Sequence, residues 1–255
     1  MGPQFVSKAV TLVWNNLGAA IRATVLPFGL MVLIPGMLLT AALPEPPSLD
    51  APSAVAPSAS LPLLLLAAVI ALLLFAWAAV AWHRYVLIEE TPRPLALPEA
   101  GAVTAYAWAM IRVGLIAVAV LLAVGLAGLL VGAGLAGALG DGALLPVVAL
   151  GFGASVLFSY ALLRFSMVLP SAAVGRPMSL RESWRATHPA RNAVLVAALL
   201  LGVLQYMLQL VGAALLLAGL PGFLLSLLVT WASAMIGLSI LTALYGVLVE
   251  GRPVD

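Results

Sequence analysis

Apolar runs of 20 or more residues recur along this chain, and nothing else constrains its fold as strongly. Six can be drawn, over 21–43, 61–88, 108–138, 143–169, 191–218 and 221–249. At a rise of ~1.5 Å per residue, about 20 apolar residues cross a bilayer core about 30 Å thick. Backbone in hydrocarbon has no water to bond, so each run must satisfy its own amides as a helix. The expected fold is all-α: a polytopic transmembrane bundle of six spans, forming one membrane domain over 1–255. Composition agrees. The chain is 64% hydrophobic and 8% charged, with a mean hydropathy of +1.21, too little polar surface for a soluble domain. Pro27 and Pro35 fall inside the first run and predict a kink there.

Charge sorts the connections. The basic residues are Lys8, Arg22, Arg84, Arg93, Arg112, Arg164, Arg176, Arg181, Arg185, Arg191 and Arg252. All lie at the termini, in the second and fourth loops, or at adjoining helix ends. The first, third and fifth loops have none and hold Glu45, Asp50 and Asp141. The positive-inside rule then places both termini in the cytoplasm, which six spans allow. A secretory signal is the rival reading of the first run, with residues 23–39 as its core and "TAAL" as its cleavage site. The late start of the apolar segment and the five spans left over count against it. The first outside loop, "PEPPSLDAPSAVAPSAS", has too little to bury and reads as a flexible extracytoplasmic spacer. The net charge of +2 gives no reason to expect nucleic acid, and the absence of cysteine leaves no disulfide or thiol chemistry.

The even-numbered spans end alike. Tyr85, Phe165 and Tyr245 are spaced by 80 residues, and Arg-Pro pairs follow at Arg93-Pro94, Arg176-Pro177 and Arg252-Pro253. The odd-numbered spans open alike, with Trp14, Trp108 and Trp184 followed by Arg22, Arg112 and Arg191. A fixed period signals duplicated architecture. The chain reads as three two-span units, 1–94, 95–177 and 178–255, each preceded by a cytoplasmic interfacial helix. Generic two-span hairpins with interfacial aromatics and arginines are the rival reading, but the matched spacing favours a repeat.

"SLRESWRATHPAR", residues 179–191, is the most polar stretch. Ser179 and Glu182 have the spacing of a capping box, and Pro189 marks the end of the short helix it opens. Leu180, Trp184 and Thr187 fall on one face and Arg181, Arg185 and His188 on another. Arg181 and Arg185, one turn apart, repel unless an anion joins them. Such a helix suits the inner-leaflet surface, with Trp184 and Leu180 toward the membrane. Arg176, Arg181, Trp184, Arg185 and Arg191 are therefore the candidates for binding anionic inner-leaflet lipid or a protein partner at the cytoplasmic face. A plain topology anchor is the alternative.

This segment also carries a resemblance. "VLPSAAVGRPMSLRESWRATHPARNAVLVAALLLGVL" resembles the repeat motif of the YciC-like and glycerophosphodiester phosphodiesterase membrane-domain-like proteins. The similar elements are the Pro170 region, Gly175, the Ser183-Trp184-Arg185 step and Thr187, over about 40 residues. The resemblance implies a six-span bacterial inner-membrane protein. The phosphodiesterase activity in the family name belongs to a separate soluble domain, for which this chain has no room.

Catalytic patterns fail on context. "GAGLAG" places Gly132, Gly134 and Gly137 in dinucleotide-fingerprint spacing, but inside an apolar span rather than after a strand. Gly128-x-x-x-Gly132 makes close helix packing the better account. "EETPR" at Glu89–Arg93 resembles an intramembrane protease motif one residue short, and "GASV" at 153–156 a rhomboid serine, yet neither has an intramembrane histidine. His83 and His188 both read as cytoplasmic-edge residues. No catalytic residue, cofactor or metal site is expected, and the chain is expected not to be an enzyme.

Within the spans the polar groups are neutral. Gln205 and Gln209 share a face of the fifth span, and Ser226, Thr230 and Ser233 form a stripe on the sixth. Interhelical hydrogen bonding is their simplest role, at about 1 kcal/mol or less each. Gln205, Gln209 and Thr230 are the best candidates for a pocket. The leading expectation is a non-enzymatic scaffold or accessory protein of the inner membrane. The alternative is a transporter or permease subunit for a small neutral or amphiphilic solute, which requires a polar cavity between the fourth, fifth and sixth spans.

Overall fold

The computed structural model describes residues 1–42, 60–92 and 99–253. Glu45, Asp50, the Arg93-Pro94 pair and the Pro/Ala/Ser-rich loop up to residue 59 lie outside the described residues. The described residues form helices and no strand: α1 (Gly2–Asn15), α2 (Leu17–Ala42), α3 (Leu61–Ile88), α4 (Ala100–Leu139), α5 (Leu144–Phe165), α6 (Val168–Ala173), α7 (Leu180–Ala186), α8 (Arg191–Leu216) and α9 (Gly219–Leu248). With α5 and α6 taken as one rod, six of these helices are long and apolar enough to cross a membrane.

The helix ends follow local chemistry. Asn16 separates α1 from α2, and its side-chain amide bonds back to Leu12 O at 2.9 Å. Gly175, at φ +73°, ends α6 in a Schellman turn. There Arg176 N bonds Ser171 O at 2.9 Å and Gly175 N bonds Ala172 O at 3.2 Å. Nothing comparable interrupts residues 102–112. The surface helix expected ahead of the third span is therefore not separate: α4 is one helix of 40 residues, about 60 Å long. In the first span α2 continues as a helix through Pro27 and Pro35, both of them buried.

The long helices pack as antiparallel hairpins: α2 with α3, α4 with α5, and α8 with α9. The closest pairing is α2 with α3, where Ala19, Ala20, Ala23, Ala76 and Ala79 are buried. Lipid is as apolar as leucine, so small residues that let two backbones approach replace the hydrophobic drive of a soluble core. Helix α1 lies across α8 and α9, with Phe5, Ala9 and Val13 buried and Gln4, Ser7, Thr11 and Asn15 exposed.

Burial is concentrated at one end of the bundle. This end gathers the starts of α2, α4 and α8 and the ends of α3, α5 and α9. Most basic residues lie there, so it is called the basic end. Past Val113, α4 buries nothing; α5 buries only Leu163 and Arg164; α8 buries nothing past Ala198. One cluster centres on Val80, Trp82 and Tyr106 of α3 and α4, packed with α6 and α9. The other gathers Phe5, Met167, Val194 and Leu244 from α1, the α5–α6 junction, α8 and α9. The three hairpins are thus joined near the basic end, and the far stretches of α4, α5 and α8 present their side chains outward.

Candidate functional site

The short helix α7 is built as its residues dictate. Glu182 N donates to Ser179 Oγ at 3.2 Å, and Ser179 N donates to Glu182 Oε2 at 2.6 Å, closing the capping box. The Ser179 backbone N–H, and then its side chain, hold the Glu182 carboxyl below the usual carboxylate range. Leu180 and Trp184 are half-buried and Thr187 is buried, while Arg181, Arg185 and His188 are exposed, so the two expected faces are present.

The inward face packs on protein. Trp184, expected to lie toward the membrane surface, sits against α5. The Arg164 guanidinium carbon stands 3.5 Å from the Trp184 ring centroid, and the Phe165 ring lies 4.9 Å away. Arg164 is 3% exposed. It donates from Nε to Thr187 Oγ1 at 3.0 Å, from Nη1 to Tyr160 Oη at 3.1 Å, and from Nη2 to Trp184 O at 2.7 Å. Ser183 Oγ returns a bond to Arg164 O at 2.6 Å. A buried guanidinium must be hydrogen-bonded on every side it can be, and here three neutral acceptors and a π face do so without a carboxylate. Arg164, read from the sequence only as a topology marker, is the bolt that fixes α7 to α5. Its spacing of four from Tyr160 is the only sequence signal for this.

Other basic residues also fasten helix ends. Arg84 donates from Nε to Glu90 Oε2 at 2.7 Å and from Nη1 to Ala173 O at 3.2 Å. Arg252 pairs with Glu250 at 2.8 Å and donates to the carbonyls of Val86, at 3.2 Å, and Leu87. Lys8 Nζ donates to Pro253 O at 2.7 Å. A different group remains outward. Arg176, Arg181, Arg185 and Arg191 are exposed, and among the described residues their side chains make no hydrogen bond or ion pair. Arg176 borders an open depression of about 560 Å³ beside Arg252, Glu250 and Tyr245.

His83 lies near the basic end of α3 and is fully buried in the core. Its Nδ1 lies 2.8 Å from Thr242 Oγ1 and its Nε2 lies 3.2 Å from Tyr106 Oη. Thr242 spends its single hydroxyl proton on Leu238 O at 2.8 Å. The imidazole proton therefore sits on Nδ1 and is donated to Thr242, and Nε2 accepts from Tyr106. Next to it, Trp82 Nε1 donates to Ser239 Oγ at 3.0 Å. The group ties α3, α4 and α9 together.

Of the candidates Gln205, Gln209, Ser226, Thr230 and Ser233, the one pair bonded across helices among the described residues is Gln205 with Ser233, while Gln205 and Gln209 both line the gap between α5 and α8. Gln205 Nε2 donates to Ser233 O at 3.0 Å, and the Ser233 hydroxyl donates to Gln205 Oε1. Ser226 and Thr230 bond within their own helix, to Phe223 O at 2.7 Å and Ser226 O at 2.9 Å. Thr230 and Gln209 are exposed, and neither meets the other in a shared pocket. The close packing expected at Gly128 and Gly132 is not made within the chain. A Cβ at Gly128 would meet nothing within 4 Å, and one at Gly132 would only reach Val147 Cγ2 at 4.0 Å. Over those turns α4 meets α5 at Gly132 and turns Gly128 to open space.

The fold and its fastened basic end define a polytopic helical membrane protein. Compared with protein-family models, curated proteins and solved structures, the chain finds no match.

Proposed function

We propose that this protein is a non-enzymatic scaffold or accessory protein of a bacterial inner membrane. Its basic end would face the cytoplasm and hold anionic lipid phosphates against α7. The observation that carries this reading is the contrast between two sets of arginines. Arg164 holds α7 rigidly, while Arg181, Arg185 and Arg191 stand on or beside it, exposed and unpaired by hydrogen bond or ion pair among the described residues. A fixed row of like charges lowers its own repulsion by taking up anions, and inner-leaflet headgroups supply them at that depth. The resemblance to YciC-like membrane proteins fits the same reading. The transporter alternative draws less support: Gln205 is spent on Ser233.

The test compares anionic phosphatidylglycerol with zwitterionic phosphatidylcholine in mixed micelles, reading bound lipid and thermal stability. At about 1 kcal/mol per basic residue, replacing Arg181, Arg185 and Arg191 by glutamine should weaken the anionic preference about a hundredfold. An unchanged preference would discard the proposal.

A further inference from the structure

The depression that Arg176 borders lies where three separate parts of the chain meet. These are the end of α3 at Leu87 and Ile88, the turn between α6 and α7, and the end of α9 with the residues after it. Its volume is about 560 Å³, within the ~300–1,000 Å³ of small-ligand sites. Depth fixes its surroundings. Helices α3 and α9 have 28 and 30 residues, so they are about 42 and 45 Å long at ~1.5 Å per residue. A bilayer with its headgroups is about 40–45 Å thick, which puts the ends of both helices, and the depression with them, at headgroup level.

Three polar groups line it without a full set of partners. Tyr245 is 2% exposed, yet among the described residues its hydroxyl makes no hydrogen bond. A buried hydroxyl is ordinarily bonded, so this one calls for a partner in the depression. Arg176 is exposed and, among the described residues, has no hydrogen bond or ion pair. Glu250 keeps Oε2 sealed against Arg252 Nε at 2.8 Å. Its Oε1 has no partner among the described residues and is the oxygen left to accept.

The charges sort what can bind. Arg252 is occupied: its two Nη groups donate to the carbonyls of Val86 and Leu87, and its Nε faces Glu250. Gly246 makes room for it, since a Cβ there would stand 3.3 Å from Arg252 Cδ. The Arg252–Glu250 pair cancels in charge, and Arg176 supplies the remaining positive charge. A cation beside a hydroxyl donor fits an anion, and phosphate is the anion of the headgroup layer. The free carboxylate oxygen fits a donor carried by the same ligand, so a bare phosphate answers only half of the site.

We infer that the depression binds a phosphate ester bearing a primary ammonium, as a lipid headgroup or as a free ester. The phosphate meets Arg176 and the Tyr245 hydroxyl, and the ammonium meets Glu250 Oε1. The trimethylammonium of phosphatidylcholine has the same charge but no N–H to donate. The site needs none of Arg181, Arg185 and Arg191, so it stands independently of the surface proposed at α7.

The test uses the full chain with Arg181, Arg185 and Arg191 changed to glutamine, which removes that surface, and measures bound lipid by native mass spectrometry from mixed micelles. Phosphatidylethanolamine should bind about tenfold more tightly than phosphatidylcholine, the effect of one charge-assisted hydrogen bond. Glu250→Gln should erase most of that preference, and Arg176→Gln should weaken both lipids. Tyr245→Phe should also weaken both several-fold, with an unchanged melting temperature in the absence of lipid, because the hydroxyl has no partner in the chain. Soluble phosphoethanolamine is the second arm: displacement of the lipid at equal concentration assigns the free ester, and no displacement assigns the headgroup. Equal binding of phosphatidylethanolamine and phosphatidylcholine, or a preference undiminished in Glu250→Gln, would overturn the inference. So would phosphatidylglycerol binding as tightly as phosphatidylethanolamine.

Discussion

The guanidinium of Arg164 is stacked 3.5 Å from the Trp184 ring centroid and also donates to the Trp184 carbonyl, so one residue of α5 holds one residue of α7 by both its ring and its backbone. Removing the cation leaves α7 attached mainly by Ser183 and the flanking chain. Arg164→Ala should destabilise this docking by about 2–4 kcal/mol, from the loss of charged hydrogen bonds and the stacked ring. Limited trypsin cleavage at Arg181 and Arg185 should accelerate. Arg164→Lys should not rescue it, because an ammonium cannot reproduce the planar fork that meets Thr187, Tyr160 and Trp184 at once. Full protection in the lysine variant would refute this account of the contact.

The capping box makes the start of α7 sensitive to acid. The native Glu182 carboxyl is held below its ordinary value of 4.5 by the Ser179 backbone N–H first and the Ser179 side chain second. Its contribution is complete above that ordinary value, declines as pH falls below it, and is gone under the lowered native value. Cleavage within α7 should therefore rise in mild acid for the parent and show no such rise in Glu182→Gln. Ser179→Ala should cost about 1 kcal/mol at neutral pH, the usual loss for an N-cap.

The glycines divide into two kinds. At Gly222 a Cβ would lie 1.8 Å from Leu215 O and 2.9 Å from Ala218 Cβ, inside the α8–α9 turn. Gly222→Ala should cost at least about 2 kcal/mol, since the obstacle is backbone. Gly128→Ala has open space and should change stability by less than about 0.5 kcal/mol. Thermal unfolding of the two variants in the same detergent distinguishes them, and equal melting points would contradict the geometry.

The His83 network predicts an asymmetry. Thr242→Val keeps the shape but leaves the Nδ1 proton of His83 without its acceptor, a loss of about 1–3 kcal/mol for a buried unpaired donor. Replacing all three partners, His83→Leu, Tyr106→Phe and Thr242→Val, should recover much of that loss, because no orphan remains. A triple variant less stable than the valine single variant by more than a leucine's misfit would count against the assignment.

Much of the architecture was legible because hydrocarbon allows so few solutions. The run 61–88 coincides with α3, and α8 and α9 fall within a few residues of expectation. The S-x-x-E pattern at Ser179 closed as the capping box it describes. What sequence did not reveal depended on neighbours distant in the chain. Trp184 and Leu180 form an apolar face whether they meet lipid or protein, and only Arg164, twenty residues earlier, decides between the two. The partner of His83, Thr242, is 159 positions away and left no mark in the local sequence. The expected surface helix and the third span unite in α4 because nothing in residues 102–112 breaks a helix.

The position of α1 across α8 and α9 sets an order in time. Its partners begin at Arg191, and at ~5–20 residues per second a ribosome needs about 10–35 s to travel there from Asn15. During that interval Phe5 and Ala9, which end fully buried, lack the α8 and α9 part of the cluster that covers them. The nascent amphipathic helix must wait on the membrane or in the hands of the insertion machinery, and an element made before α8 and α9 is fully seated only after them.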